Sequence, residues 1–164
     1  TTGIPSNSRG TSANIPKIFL NSSNNWIRLL FLIPLLNKAN IDVVTHIMVG
    51  LPDETEEDLK NTVDFINSHN IQGLKIHSCY IVKNTVLADM FYNNQYLPIS
   101  LEYYLNSVIY VLTHVNPNII IHRISGDAPK DLLVAPDWNS HKKWIINGLD
   151  KLLKELNLWQ GKNY

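Results

Sequence analysis

"IDVVTHIMVGLPDETEEDLKNTVDFINSHNIQGLKIH" (41–77) contains a strand, a tight turn, a helix and the start of a second strand, in that order. The run 41–49 is rich in β-branched residues and bounded by Asn40 and Gly50, so it reads as a strand. Gly50, Leu51 and Pro52 break it at once. Thr55 then offers an N-cap side chain with Asp58 three positions on, and Glu56 and Glu57 complement the positive end of a helix dipole. Leu59, Thr62, Val63 and Ile66 fall on one helical face, with Phe65 beside it. The run 73–82 reads as the second strand.

The same alternation continues downstream. A short helix is expected over 85–93, and a longer one over 100–115 behind the cap Ser100, with Leu101, Leu105, Val108 and Leu112 on its stripe. "NIIIHRI" (118–124) is a third strand and 125–136 a loop. The last helix is expected over 140–159 with Trp144, Ile145, Leu149, Leu152, Leu153 and Leu156 inside. Strand and helix in strict succession predict parallel strands joined by right-handed crossovers. The near-continuous apolar strands suggest a sheet covered on both faces. Three such units make half of a (βα) barrel or one half of a doubly wound fold, and ligands in either sit at the C-terminal strand ends.

The bulk composition narrows the function. The 164 residues carry no net charge, with 14 basic and 14 acidic side chains, so no charge excess for nucleic acid exists. The longest apolar stretch, 26–36, is interrupted by Arg28 and Pro34 and is too short to span a bilayer. A single cysteine, Cys79, excludes an internal disulfide framework and fits a reducing, cytoplasmic setting. Residues 1–25 are crowded with Ser, Thr and Asn and lack any acid. A transit peptide has that composition, yet no amphipathic arginine stripe is present. The expectation is a poorly packed leader.

Chemistry gathers at the three strand ends. Gly50 would admit close backbone approach of a ligand, Pro52 stiffens the turn, and Glu54 can accept its N–H groups; a tight connection that binds nothing is the alternative. Each strand carries one histidine, His46, His77 and His122, which together with Asp127 could form a metal site of the barrel-hydrolase kind. Against it, His46 lies four residues before Gly50, and no H-x-H or H-E-x-x-H motif is present. The loop "HRISGDAPKD" (122–131) concentrates Arg123, Asp127, Lys130 and Asp131 at a strand mouth, either as ligand contacts or as an Arg123–Asp127 ion pair that orders the loop. Lys83 at the second strand end could meet a carboxylate or phosphate, or water. Cys79 reads as a small buried strand residue, and Trp138, Trp144 and Trp159 as packing residues.

The stretch 41–77 resembles the fifth and sixth βα units of radical SAM enzymes of the Elongator-like branch, whose fifth strand ends in a "GLPGET" turn. "IIIHRISGDAPKDLLVAPDW" (119–138) and "WQGK" (159–162) resemble the narrower YhcC-type subgroup. The likeness runs from about residue 33 to 162, with 1–32 unmatched and 33–164 as the barrel part. It implies the C-terminal half of a partial (βα)6 TIM-like barrel with additional C-terminal helices. The family binds a [4Fe–4S] cluster through three cysteines and uses S-adenosylmethionine to make a 5′-deoxyadenosyl radical.

By that resemblance Met48 and Val49 would line the adenine side of the cofactor. Gly50, Leu51 and Pro52 would shape the turn, Glu54 would hold it, and the backbone of Tyr80, Ile81 and Val82 would lie near adenine. His46, His77, Lys83, Arg123, Asp127 and Lys130 would be substrate-side candidates for an unknown substrate. Asp53 departs from the family's glycine, so the turn is expected to differ slightly. No C-x-x-x-C-x-x-C motif occurs, and one cysteine cannot ligate a cluster, so this chain by itself is expected to be inactive. The missing N-terminal half of the barrel is the implied partner. A non-catalytic α/β module acting through another chain, or a histidine-ligated hydrolase, are the competing classes.

Overall fold

The computed structural model describes residues 25–164, with side chains from residue 31 onward. The expectation that residues 1–24 pack poorly therefore falls outside the described residues. Helix α1 (Asn25–Lys38) contains Pro34 and crosses the boundary drawn at residue 32. It buries Ile33 and half-buries Leu36 against the core, while Phe31 and Leu35 face outward.

Strand β1 (Val44–Val49) follows, then α2 (Glu56–Asn67). The α2 start is the predicted capping box: the Asp58 N–H donates to Thr55 Oγ1, and the Thr55 N–H donates to Asp58 Oδ2 at 2.9 Å. Its buried residues are Leu59, Thr62, Val63 and Ile66, the predicted stripe. Strand β2 (Gly73–Ser78) and the two-residue β3 (Ile81–Val82) come next, then α3 (Val86–Tyr92) capped by Thr85. Helix α4 (Leu101–His114) is capped by Ser100. Strand β4 (Ile120–Arg123), strand β5 (Leu133–Ala135), a 3₁₀ turn over Asp137–Ser140 and α5 (Lys142–Glu155) complete the order.

The three long strands form one parallel sheet in the order β1-β2-β4, as the alternation predicted. The run 73–82 is not one strand, however. It breaks after Ser78, and β3 leaves the sheet to pair antiparallel with β5, which lies inside the stretch expected to be loop. The reason is pairing: β3 needs residues 133–135, about fifty positions downstream, to satisfy its backbone.

One face of the sheet is covered. Ile47, Val49, Leu74 and Ile76 pack there with Val63 and Ile66 of α2 and Tyr104, Val108 and Val111 of α4. Helix α5 adds Ile145 and Leu149. A second, smaller core holds Cys79, Ile81, Ala88 and Tyr96. The expectation of two covered faces does not hold: Val44, His46, Ile120, His122 and Arg123 are exposed, and Lys75 and His77 are only half-buried. Burial alternates along β1 and β2, the signature of a one-sided sheet.

Two further expectations are corrected at the C-terminus. Helix α5 stops at Glu155, and the residues beyond it turn back, with Leu158 packed on the core. Trp144 is 54% exposed and stacks on His141, and Leu156 also faces outward. Trp159 is exposed too, with the Lys162 ammonium 4.7 Å over its ring. Trp138 does pack, stacked on Tyr104 with its indole N–H donated to the Ile99 carbonyl.

Candidate functional site

The turn after β1 is held from two sides. The Glu54 carboxylate accepts the N–H of Gly50 and, at 3.3 Å, that of Leu51, while the Glu54 N–H donates to the Leu51 carbonyl. The carboxylate thus does what the sequence suggested. From the other side the Tyr96 hydroxyl donates to the Gly50 carbonyl. Tyr96 is buried, and burial pushes its phenol up so that it remains a donor.

The reason for glycine at position 50 differs from the expected one. Its φ is +90°, and a Cβ there would sit 2.8 Å from Ile99 Cδ1. The close approach is made by the chain's own Ile99, not left for a ligand. Asp53 has φ +58°, a left-handed conformation that glycine adopts freely and aspartate tolerates. A left-handed position of this kind admits either residue, Asp here and Gly in the family the sequence resembles. A hollow of about 380 Å³ lies beside the turn, bordered by Leu51, Glu54, Tyr96, Leu97 and Ile99.

Met48 and Val49 point to opposite faces. Met48 is half-buried against the second core and can present apolar surface. Val49 is 1% exposed in the main core, and its carbonyl accepts the Cys79 N–H at 2.8 Å, so its side chain is not available to line a cofactor. Ile81 is likewise fully buried, leaving only its backbone. Ile81 and Val82 are paired with Ala135 and Leu133. Tyr80 lies at the crossing between sheet and ribbon, and no backbone hydrogen bond involves it among the described residues. Its ring sits near Gly126, and its hydroxyl reaches the Asp127 carbonyl at 3.5 Å.

The open sheet face brings the histidines together. His46 and His77 stack with ring centroids 5.3 Å apart. His122 fills the space beside Gly73, where a Cβ would come within 2.5 Å of its Nε2. Burial, then the charge of Lys75, then that of Arg123 lower the His46 pKa. The His77 pKa is lowered by burial first, then by His46, Arg123 and Lys75, with Asp127 opposing. Among the described residues no group of three or more His, Cys, Asp or Glu side chains is placed to hold a metal. The histidine-ligated hydrolase reading lacks its ligand set for that reason.

Arg123 and Asp127 form the ion pair that orders the 122–131 loop, at 3.2 Å, with Lys142 4.0 Å from the same carboxylate. Both partners are substantially exposed, so the pair contributes about 0–1 kcal/mol. The exposed Lys83 donates its ammonium to the Asp131 carbonyl at 2.8 Å and its backbone N–H to Leu132, tying the ribbon to the loop. Lys130 is exposed. Lys75 escaped the sequence reading because it sits inside an apolar strand. The signal was its alternation with Leu74 and Ile76, repeated by His77.

Cys79 does not fit a cluster. It is a buried free thiol, and burial pushes its pKa up. A protonated, enclosed thiol is a poor iron ligand.

The Radical_SAM C-terminal domain family matches residues 71–155. The uncharacterised protein YtqA of Bacillus subtilis is 31% identical over 127 residues, covering 77% of this chain and 39% of YtqA. Protein YhcC of Escherichia coli is 30% identical over 121 residues, covering 74% of this chain and 39% of YhcC. This chain thus spans about two fifths of the length of these relatives. The solved archaeal Methanocaldococcus infernus Elp3 with an N-terminus deletion shares the fold, with a TM-score of 0.70 at 18% identity, over 85% of this chain and 33% of that one. The family match spans more than half of the chain, and the chain belongs to the radical SAM family as a C-terminal part, similar to the corresponding parts of YtqA and YhcC.

Proposed function

We propose that this chain supplies the adenine-side wall of an S-adenosylmethionine site in a radical SAM enzyme whose substrate is unidentified. The observation that carries the reading is Tyr80. The chain leaves the sheet there, one residue beyond the Cys79–Val49 hydrogen bond, with both Tyr80 peptide groups unengaged by other backbone among the described residues. Backbone groups so placed, beside the rigid end of β1, suit the edge of a purine. Met48 supplies apolar surface, Gly50, Leu51 and Pro52 shape the turn, and Glu54 and Tyr96 keep it rigid. Val49, Ile81 and Val82 contribute through backbone position.

S-adenosylmethionine held on a [4Fe–4S] cluster supplies radical chemistry when bound. Cys79 does not fit such a cluster, so its ligands belong to residues outside this chain, and this chain by itself is inactive in our reading. The rest of the barrel is the proposed partner. It is supported by β1 lying at a sheet edge and by the outward-facing Phe31 and Leu35 of α1. Among the described residues no helix is long and apolar enough to cross a membrane. The buried free thiol of Cys79 agrees with a reducing, cytoplasmic setting. His46, His77, Arg123 and Asp127, on and above the open face, are the substrate side.

Titration of S-adenosylmethionine into isotope-labelled protein tests the reading. Amide signals at 48–54 and 80–82 are expected to move first, with a dissociation constant in the millimolar range or weaker, about 4 kcal/mol of binding at most. Movement confined to His46, His77 and His122 would reject the reading. So would a Gly50→Val variant whose 48–54 response is unchanged.

A further inference from the structure

The open face of the sheet carries more positive charge than its own carboxylates balance. Lys75 lies opposite His46 on β1 and opposite Arg123 on β4. The Arg123 register exists because β4 gains a residue against β2 between Leu74 and Lys75. His122 and Arg123 therefore both reach the open side, where strict alternation would have sent one of them into the core. His46, Lys75 and Arg123 thus form a row across three strands, with His77 one step toward the strand ends and stacked on His46.

The charges do not cancel. Asp127 opposes the lowering at His77, no carboxylate acts on His46 among the described residues, and Asp127 already pairs with Arg123 and Lys142. Lys75 has no ion-pair partner among the described residues. Asp127 thus serves two cations already, and the Lys75 charge is left over. His77 adds an independent observation: its Nε2 is buried and has no hydrogen-bond partner among the described residues. A buried polar atom left unpaired costs about 1–3 kcal/mol, which a bound group would recover. Gly126 closes over the same ring, with room for a Cβ only 3.4 Å from His77 Nδ1.

We propose that this face binds an anionic group of the substrate, a carboxylate or a phosphate, between Lys75 and Arg123, with a ring N–H of His77 or His46 as a further donor. The inference rests on the reading that this face is the substrate side of the cofactor site. Arg123 offers a planar fork and Lys75 a compact charge, a pair suited to an oxyanion. Burial is the main cause of the lowered His46 and His77 pKa values, and the charges of Lys75 and Arg123, which would hold the anion, add to it. A bound anion offsets that field, so both rings should then take up a proton at higher pH.

The test uses the chain as it stands, with inorganic phosphate and acetate as probes at ionic strength held constant with chloride. Ring signals of His46 and His77 are followed by nitrogen-15 NMR, along with backbone amides. Saturable movement of both rings is expected, with titration midpoints raised by about 0.5 pH. Phosphate or acetate acting alone identifies which oxyanion the site takes. Lys75→Gln with Arg123→Gln should weaken the response at least roughly tenfold, and Lys75→Arg should keep it. A linear response equal to that of chloride overturns the proposal. So does an undiminished response in the double variant, whose folding the amide spectrum reports. S-adenosylmethionine shifting 48–54 while neither anion moves the rings would remove this inference and leave the cofactor reading standing, and the reverse pattern would do the opposite.

Discussion

Replacing Gly50 by alanine separates two costs that the structure makes distinct. The first is conformational: at φ +90° an L-residue costs about 1–2 kcal/mol relative to glycine. The second is steric. The added Cβ would lie 2.8, 2.9 and 3.1 Å from Cδ1, Cγ1 and Cγ2 of Ile99. Three atoms of one branched side chain are involved, so turning a terminal methyl does not clear the clash, and overpacking of this kind costs about 1–3 kcal/mol. Gly50→Ala should therefore destabilise by about 2–5 kcal/mol in urea unfolding followed by circular dichroism. Ile99→Ala removes the obstacle and leaves the φ. In that background Gly50→Ala should cost only about 1–2 kcal/mol, a coupling of about 1–3 kcal/mol in the double-mutant cycle. Equal costs in the two backgrounds would show that Ile99 is not what the Cβ meets. A cost below about 1 kcal/mol in the parent chain would refute the left-handed conformation itself.

Two other perturbations follow from the same contacts. Tyr96→Phe removes the donor to the buried Gly50 carbonyl and should lower stability by about 1–2 kcal/mol; a change within about 0.5 kcal/mol would mean that the carbonyl finds water instead. His77 has a folded-state pKa below its ordinary value of 6.5, so the unfolded chain binds the extra proton first, and stability should fall as pH drops from about 7 through 6.5 toward the lowered value. His77→Gln should flatten that slope, and identical slopes in parent and variant would contradict the shift.

Much of the candidate site was legible because its causes are local. Glu54 lies four residues from the N–H it accepts, and Thr55 three from its reciprocal partner, so spacing revealed both. The Arg123–Asp127 pair lies within one short loop and was visible as an alternative for the same reason. The Lys83 contact is not legible in the sequence, because its partner, the Asp131 carbonyl, lies forty-eight positions away and nothing near Lys83 announces it. Val49 was misjudged because period-two alternation tells which residues share a face but not which face is covered.

The sequence by itself determined the caps of α2 and α4, the succession of strands and helices, the parallel sheet and the rigid turn after β1. Each depends on backbone preferences and hydrogen bonds within a few residues, or on a chirality common to all βα crossovers. Only the tertiary structure decided that β2 ends at Ser78, that Ile99 and Tyr96 fix Gly50, and that Lys75, Arg123 and the histidines share an open face. Those outcomes depend on pairing partners about fifty positions apart and on one extra residue in β4. The register shift at Leu74 and Lys75 turns Arg123 toward His46, and register is a property of two strands together that neither strand carries alone.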